Sequence, residues 1–157
     1  MNNDFGWLLE QMKVFPGASE EAVQSLAEYF QATFHAAIPE DYVEFLRLSN
    51  GGIGRGPDLF VIIASAEDVV QKEKGYGQGD AEKDLFLIGG DGCGNMLGIN
   101  TRNKNQKAMT FMMFDPIALS NLDDPDAVQA RAGSFLALLS NLSDYYARIG
   151  QRRATGP

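Results

Sequence analysis

The apolar residues in the first part of the chain recur at helical spacing. Residues 5–13 predict a short helix, which Pro16 and Gly17 end. Ser19 is placed to cap a second helix, because the apolar residues that follow it lie three and four positions apart. Those residues are Val23, Leu26, Ala27, Phe30 and Phe34. We therefore expect two N-terminal helices within residues 4–35.

The third helix has both of its ends marked in the sequence. Pro39 suits a first helical position, and Glu40 and Asp41 follow where the positive end of the helix dipole favours acids. The residues that share one face of this helix are Tyr42, Phe45, Leu46 and Ser49. The residues after it tolerate positive φ and so allow an abrupt end. They are Asn50, Gly51 and Gly52.

The middle of the chain changes to short apolar runs. A glycine-rich loop at residues 51–57 leads into the longest apolar stretch, residues 59–66, which predicts a buried strand running into a turn. Ser65 opens a short helix that ends near Gly75.

The second half of the chain predicts an antiparallel meander. Its strands, residues 85–88, 96–100 and 108–114, are joined by segments too short for parallel crossovers. Residues 127–132 fit either an extended or a helical segment, and a last helix covers residues 134–149. The pattern as a whole predicts an α+β fold.

A glycine-rich turn joins the first two strands of this meander. Its residues are Gly89, Gly90, Asp91, Gly92, Cys93, Gly94 and Asn95. A phosphate-binding loop is one interpretation, but the turn leads into a strand rather than a helix and has no Gly-Lys-Ser/Thr ending. The pattern favours a tight turn between strands.

In this order the segments resemble the SUKH superfamily, the group of Smi/Knr-like cell-wall-assembly regulators and bacterial immunity proteins. The resemblance covers residues 38–142 and uses an IP-x-x-Y-x-x-FL helix closing on NGG, a GxDGxG turn and an SF-x-x-L helix. The matching residues are Pro39, Tyr42, Phe45, Leu46, Asn50, Gly51, Gly52, Gly89, Asp91, Gly92, Gly94, Ser134 and Phe135. It implies structural roles for them and a twisted antiparallel sheet with helices packed mainly on one side.

The resemblance also implies a function, namely protein binding without catalysis. Bacterial members look like immunity proteins, which bind a cognate toxin, often a nuclease, and block it. The alternative is a cytoplasmic regulatory or scaffold protein of the cell-wall-assembly type. Tight one-to-one binding would distinguish toxin inhibition from the weaker, exchangeable contacts of a scaffold.

Composition and charge narrow the range of partners. The chain has 157 residues, 45% of them hydrophobic, which suits a single domain over residues 1–157 with a basic tail at 150–157. The net charge of −8 argues against nucleic acid and favours a partner with a basic surface, although acidity also serves solubility alone. The candidate partner-binding acids form two clusters, Asp80, Glu82 and Asp84, and Asp123, Asp124 and Asp126.

Reactive side chains are scarce. Cys93 and His35 would need to be adjacent to act as nucleophile and base, and the sequence favours a free structural thiol and a histidine at a helix end. One cysteine and one histidine do not build a tetrahedral zinc site, and Leu85 stands where a calcium loop starting at Asp80 needs glycine. We expect no catalytic residue, cofactor or metal.

The N-terminus and the single cysteine indicate the compartment. Residues 1–4 show no secretory pattern, and one cysteine makes no internal disulfide. The longest apolar stretch is far shorter than the roughly 20 residues that span a membrane. We expect a cytoplasmic protein that does not bind membranes.

Overall fold

The structure is a computed structural model that describes residues 5–54, 59–75, 84–102, 109–117 and 127–155. Its helices are α1 Gly6–Glu10, α2 Glu20–Phe34, α3 Glu40–Leu48, α4 Ala66–Gly75 and α5 Phe135–Thr155. Its strands are β1 Met12–Val14, β2 Gly52–Gly54, β3 Ile62–Ile63, β4 Leu85–Gly90, β5 Met96–Asn100, β6 Thr110–Phe114 and β7 Val128–Ala132.

The strands form one open antiparallel sheet. Their order in the sheet is their order in the chain, from β1 at one edge to β7 at the other. Each strand therefore pairs with the strand before it and the strand after it. The α+β fold and the antiparallel meander predicted from the sequence are confirmed.

Alternate residues of the central strands lie on opposite faces of this sheet. On β4, Phe86 and Ile88 join the larger core cluster, to which all five helices contribute buried side chains. Leu85 and Leu87 join a smaller cluster on the other face, together with Met112 and Phe114. The helices thus pack mainly on one side of the sheet, as predicted.

The helix starts follow the capping residues in the sequence. The hydroxyls of Ser19, Ser65 and Ser134 accept hydrogen bonds from amides three residues further on, at 3.1, 3.2 and 3.1 Å. Pro39 lies immediately before the first residue of α3 rather than at its first position. The residues predicted to share a face of α3 are all buried, namely Tyr42, Phe45, Leu46 and Ser49.

Two of the sequence predictions for the edge of the sheet are wrong. The helix predicted over residues 5–13 ends at Glu10, and Met12–Val14 form β1 instead. Its partner β2 lies inside the segment predicted as a loop. Gly52 has no side chain, and the end of the flexible Met12 side chain lies over it, 2.6 Å from where a Cβ would stand. Helical periodicity does not reveal a strand whose partner is so distant in the chain.

The apolar stretch at residues 59–66 is buried on one side only, which corrects the predicted buried strand. Leu59, Val61 and Ile63 enter the core, whereas Phe60 and Ile62 are 48% and 44% exposed. Only Ile62 and Ile63 pair as β3, with β2 on one side and with Gly89 and Gly90 at the end of β4 on the other.

The sequence left open whether residues 127–132 are extended or helical, and the structure decides between the two. Residues 128–132 are extended and form the edge strand β7. The last helix continues to Thr155, beyond the predicted end at residue 149 and into the predicted basic tail. Within the described part of the chain, none of the helices is both long and apolar enough to cross a bilayer.

Candidate partner-binding surface

One carboxylate organises the glycine turn between β4 and β5. Asp91 Oδ1 accepts hydrogen bonds from the amides of Cys93 and Asn95 at 2.7 and 3.1 Å, and Oδ2 accepts one from Asn95 Nδ2 at 2.7 Å. Gly92 and Gly94 have φ values of 76° and 105°, which favour glycine. Amides that a phosphate loop would offer to a ligand are used here by the turn's own carboxylate.

The motif residues at the end of α3 join three elements. The Ser49 hydroxyl accepts the amide of Phe15 at 3.0 Å, which ties the end of β1 to α3. Asn50 caps α4, because its Oδ1 accepts the amide of Ala66 at 2.8 Å. Its Nδ2 donates to Glu67 Oε2 at 2.9 Å, and this hydrogen bond lowers the pKa of the Glu67 carboxyl.

The motif glycines lie where the backbone leaves no room for a side chain. Gly51 has φ 89°, and a Cβ there would lie 2.6 Å from the carbonyl oxygen of Ile63. A Cβ on Gly89 would overlap the carbonyl oxygen of Ile62. These two glycines let β2 and β4 pack closely against β3 and its end.

Motif residues of α3 and α5 meet across the core. Asp41 Oδ2 accepts the amides of Phe135 and Leu136 at 2.7 and 3.2 Å and so caps α5 from α3. Burial raises the pKa of the Asp41 carboxyl, and the hydrogen bonds from these amides oppose the rise. The rings of Tyr42 and Phe45 pack on Phe135 with centroids 5.4 and 5.0 Å apart.

Most of the acids proposed to bind a partner lie outside the described residues. Those outside are Asp80, Glu82, Asp123, Asp124 and Asp126. Asp84 is described and is partly buried just before β4. Its carbonyl oxygen accepts both the amide and the hydroxyl of Thr101 at 2.7 Å, which closes the ends of β4 and β5. The role of the two clusters remains a prediction.

Cys93 and His35 lie at different ends of the sheet. His35 is exposed at the C-terminal cap of α2 with φ 55°, next to Phe34, which packs on Phe86 near the start of β4. Cys93 is exposed in the turn beyond the end of the same strand. Among the described residues, no three His, Cys, Asp or Glu side chains are grouped to hold a metal ion.

Strands β1 to β3 and the residues next to them carry exposed apolar side chains on the face that points away from the main core, and we call this surface the outer patch. Its large apolar members are Phe15, Ile53, Phe60 and Ile62, which are 37% to 48% exposed. Lys13, Ile53 and Ile62 are paired across the three strands and so share this face. The Lys13 ammonium lies 5.6 Å from the centre of the Phe15 ring, within cation–π range.

The outer patch continues to the glycine turn and to α5. Ile62 pairs with Gly90, and a Cβ on Gly92 would lie 3.3 Å from Ile62 Cδ1. Because the glycines of the turn have no side chains, they leave the Ile62 side chain exposed next to the turn. Phe60 stacks edge to face on Tyr146 of α5 with centroids 5.2 Å apart. Burial, followed by the nearby Asp91 charge, raises the pKa of Tyr146 to about 12.

The outer patch groups four large apolar side chains on one exposed surface. Single exposed apolar residues are common on soluble proteins, whereas a group of them that includes aromatic rings is a feature of interaction sites. Sequence reasoning missed this surface, because five apolar residues in a row from Leu59 to Ile63 give no alternation. The exposed residues of β1 and β2 that pair across the strands with β3 indicate this surface. They can be recognised only when the strand pairing is known.

The fold is that of an α+β domain with an open antiparallel sheet, the helices packed mainly on one face and an exposed apolar patch on β1 to β3. The chain belongs to the SMI1/KNR4 family (SUKH-1), which it matches over residues 17–141. No curated protein matches the chain. The family membership confirms the resemblance found in the sequence, and it agrees with both roles which that resemblance implies.

Proposed function

We propose that this protein is a non-catalytic immunity protein of the cytoplasm, which binds a cognate toxin and neutralises it. The observation that carries the proposal is the outer patch, where four large apolar side chains are exposed on one sheet face. Membership in the SUKH family supports a partner protein as the ligand. A surface of this kind buries its apolar area favourably only when a complementary protein surface covers it.

Two properties of the chain act at different steps of binding. The net charge of −8 creates a long-range field that guides a partner with a basic surface, such as a nuclease cleft, and so raises the association rate. The outer patch acts at contact distance and sets the dissociation rate. The toxin is blocked because acidic side chains occupy the place of substrate phosphates while the apolar contacts hold the complex together.

A single charge placed within the outer patch tests whether this surface binds the partner. Ile62→Glu should weaken binding to the toxin domain from the neighbouring reading frame by more than about tenfold, equivalent to about 1.4 kcal/mol. Isothermal titration calorimetry measures the affinity and the one-to-one stoichiometry. Ile117→Glu is the matched control, because Ile117 is 96% exposed and lies after β6, outside the outer patch.

The two isoleucine variants must fold equally well for this comparison to count, and urea unfolding checks that they do. Equal affinities of wild type, Ile62→Glu and Ile117→Glu would contradict the proposal. Weak, exchangeable binding to several proteins of cell-wall assembly would favour the regulatory role instead.

The role of the two acidic clusters is tested by measuring the association rate of the protein with its partner. Changing Asp80, Glu82 and Asp84, or Asp123, Asp124 and Asp126, to Asn and Gln should slow association, and added salt should slow wild type similarly. Dissociation should become faster as well for the cluster whose carboxylates occupy the cleft of the toxin in the complex. Surface plasmon resonance over a salt series measures both rates. A flat salt dependence would show that the negative charge serves solubility alone.

A further inference from the structure

Asn50 and Gly51, which lie between α3 and β2, form the only Asn-Gly pair in the chain. The side-chain amide of an asparagine is attacked most readily when glycine follows it, because glycine has no Cβ to hinder the approach of its backbone nitrogen. Asparagine is one of the thermolabile residue types of proteins. The pair is therefore a candidate site of chemical modification.

The structure holds both reacting groups of this pair in hydrogen bonds. Gly51 N, the nucleophile, donates to the carbonyl oxygen of Ser49 at 2.8 Å. The Asn50 amide is bound at both ends, because Oδ1 accepts the amide of Ala66 at 2.8 Å and Nδ2 donates to Glu67 Oε2 at 2.9 Å. Ala66 and Glu67 are the first two residues of α4. Rotation of the Asn50 amide toward Gly51 N would break its bonds to the start of α4.

We propose that Asn50 is a deamidation site whose reaction is controlled by the docking of α4 on the segment after α3. When α4 is detached, Gly51 N bonds to Asn50 Cγ, and Nδ2 leaves as ammonia together with the former amide proton of Gly51. Water, which reaches the exposed contact between Asn50 and Glu67, then opens the cyclic succinimide and leaves aspartate or isoaspartate at position 50. The proposal goes beyond the immunity role and does not depend on it.

The modification would change the junction between α3 and α4. An aspartate at position 50 has no Nδ2 donor, and it places a second carboxylate beside Glu67, which it repels. Isoaspartate also lengthens the main chain by one carbon just before β2. Neither product can re-form the hydrogen bond to Glu67 that holds α4, so the reaction favours the detached state.

A comparison of the folded and the unfolded chain tests whether the fold suppresses the reaction. The full wild-type chain is incubated at neutral pH in buffer and in guanidinium chloride. Peptide mapping by mass spectrometry separates asparagine, aspartate and isoaspartate at position 50. The reaction at Asn50 should be at least about tenfold faster in guanidinium chloride, because local opening must precede it in the folded protein. Asn141, which leucine follows, is the internal reference and should react more slowly than Asn50 in the unfolded chain.

Glu67→Ala tests the hydrogen bond to α4. It removes the acceptor of Asn50 Nδ2 and should speed the reaction in the folded protein at least about threefold. Asp68→Ala is the matched control, because it removes an acid from the same turn of α4 whose carboxylate is not bonded to Asn50. Both variants should react at the wild-type rate in guanidinium chloride, where α4 is unfolded. Circular dichroism checks the folding of each variant, and the wild-type comparison decides the test if Glu67→Ala fails to fold.

Three results would overturn the deamidation proposal. The first is an equal rate at Asn50 in buffer and in guanidinium chloride, which would mean that the fold does not control the reaction. The second is an equal rate for folded Glu67→Ala and Asp68→Ala, which would mean that the bond to α4 has no part in it. The third is a reaction at Asn50 that is no faster than at Asn141 in the unfolded chain.

Discussion

Replacing Tyr42 by phenylalanine should stabilise this protein by about 1 kcal/mol. Tyr42 is fully buried, and its hydroxyl has no hydrogen-bond partner among the described residues. A buried polar group without a partner costs about 1–3 kcal/mol relative to the same group in water. Phenylalanine removes that cost and keeps the ring contacts with Phe111 and Phe135, at 6.4 and 5.4 Å. The small void left by the oxygen offsets part of the gain.

The same variant has a predicted pH dependence. Burial raises the pKa of Tyr42 above its ordinary value, so the folded state keeps the phenolic proton where the unfolded state releases it. The free energy of unfolding therefore keeps its full value below the unfolded pKa of about 10 and falls as the pH rises above it. Linkage sets the loss at about 1.4 kcal/mol per pH unit. Tyr42→Phe lacks this loss, so its advantage over wild type should widen between pH 10 and pH 11.

Urea unfolding at pH 7, 10 and 11, followed by circular dichroism, measures both effects. Tyr145→Phe is the control, because it removes a phenolic oxygen from a partly exposed ring and should change stability by less than about 0.5 kcal/mol. A loss of about 1 kcal/mol or more in Tyr42→Phe at pH 7 would refute the reasoning, because it would mean that the hydroxyl is hydrogen-bonded.

Three further changes test the core and its connections, each by urea unfolding. Phe45→Ala should cost about 3–5 kcal/mol, because the side chain is fully buried, and a loss below about 1 kcal/mol would contradict the packing. Gly51→Ala should cost more than about 1 kcal/mol, since φ is 89°, whereas Gly133→Ala, with no atom near its Cβ, should cost less. Asp41→Ala should cost about 1–2 kcal/mol through the lost cap of α5, and an unchanged unfolding midpoint would argue against that cap.

The elements that the sequence predicted well are those with local signals. Ser19 and Ser65 mark helix starts by hydrogen bonds to amides three residues away, and such contacts depend on nothing distant. The strand predicted at residues 96–100 has those bounds as β5, because turn residues flank it. The order of the meander also followed from short connections.

The elements that the sequence missed depend on partners far along the chain. Met12–Val14 becomes a strand because Gly52–Gly54 lies beside it, and glycine itself has little strand preference. The outer patch needs that same pairing, since only the register shows that Lys13, Ile53 and Ile62 share a face.

The cap that Asp41 provides for α5 has a consequence for the order of folding. The capping hydrogen bonds join residues 94 and 95 positions apart, and α5 also supplies fully buried side chains to the main core. Hairpins β4–β5 and β5–β6 close over short loops, so they can form while the chain is still being made. The core around Phe45 stays open until synthesis has passed α5. A nascent chain halted before Phe135 would expose apolar surface and would need chaperone protection until its last helix emerged.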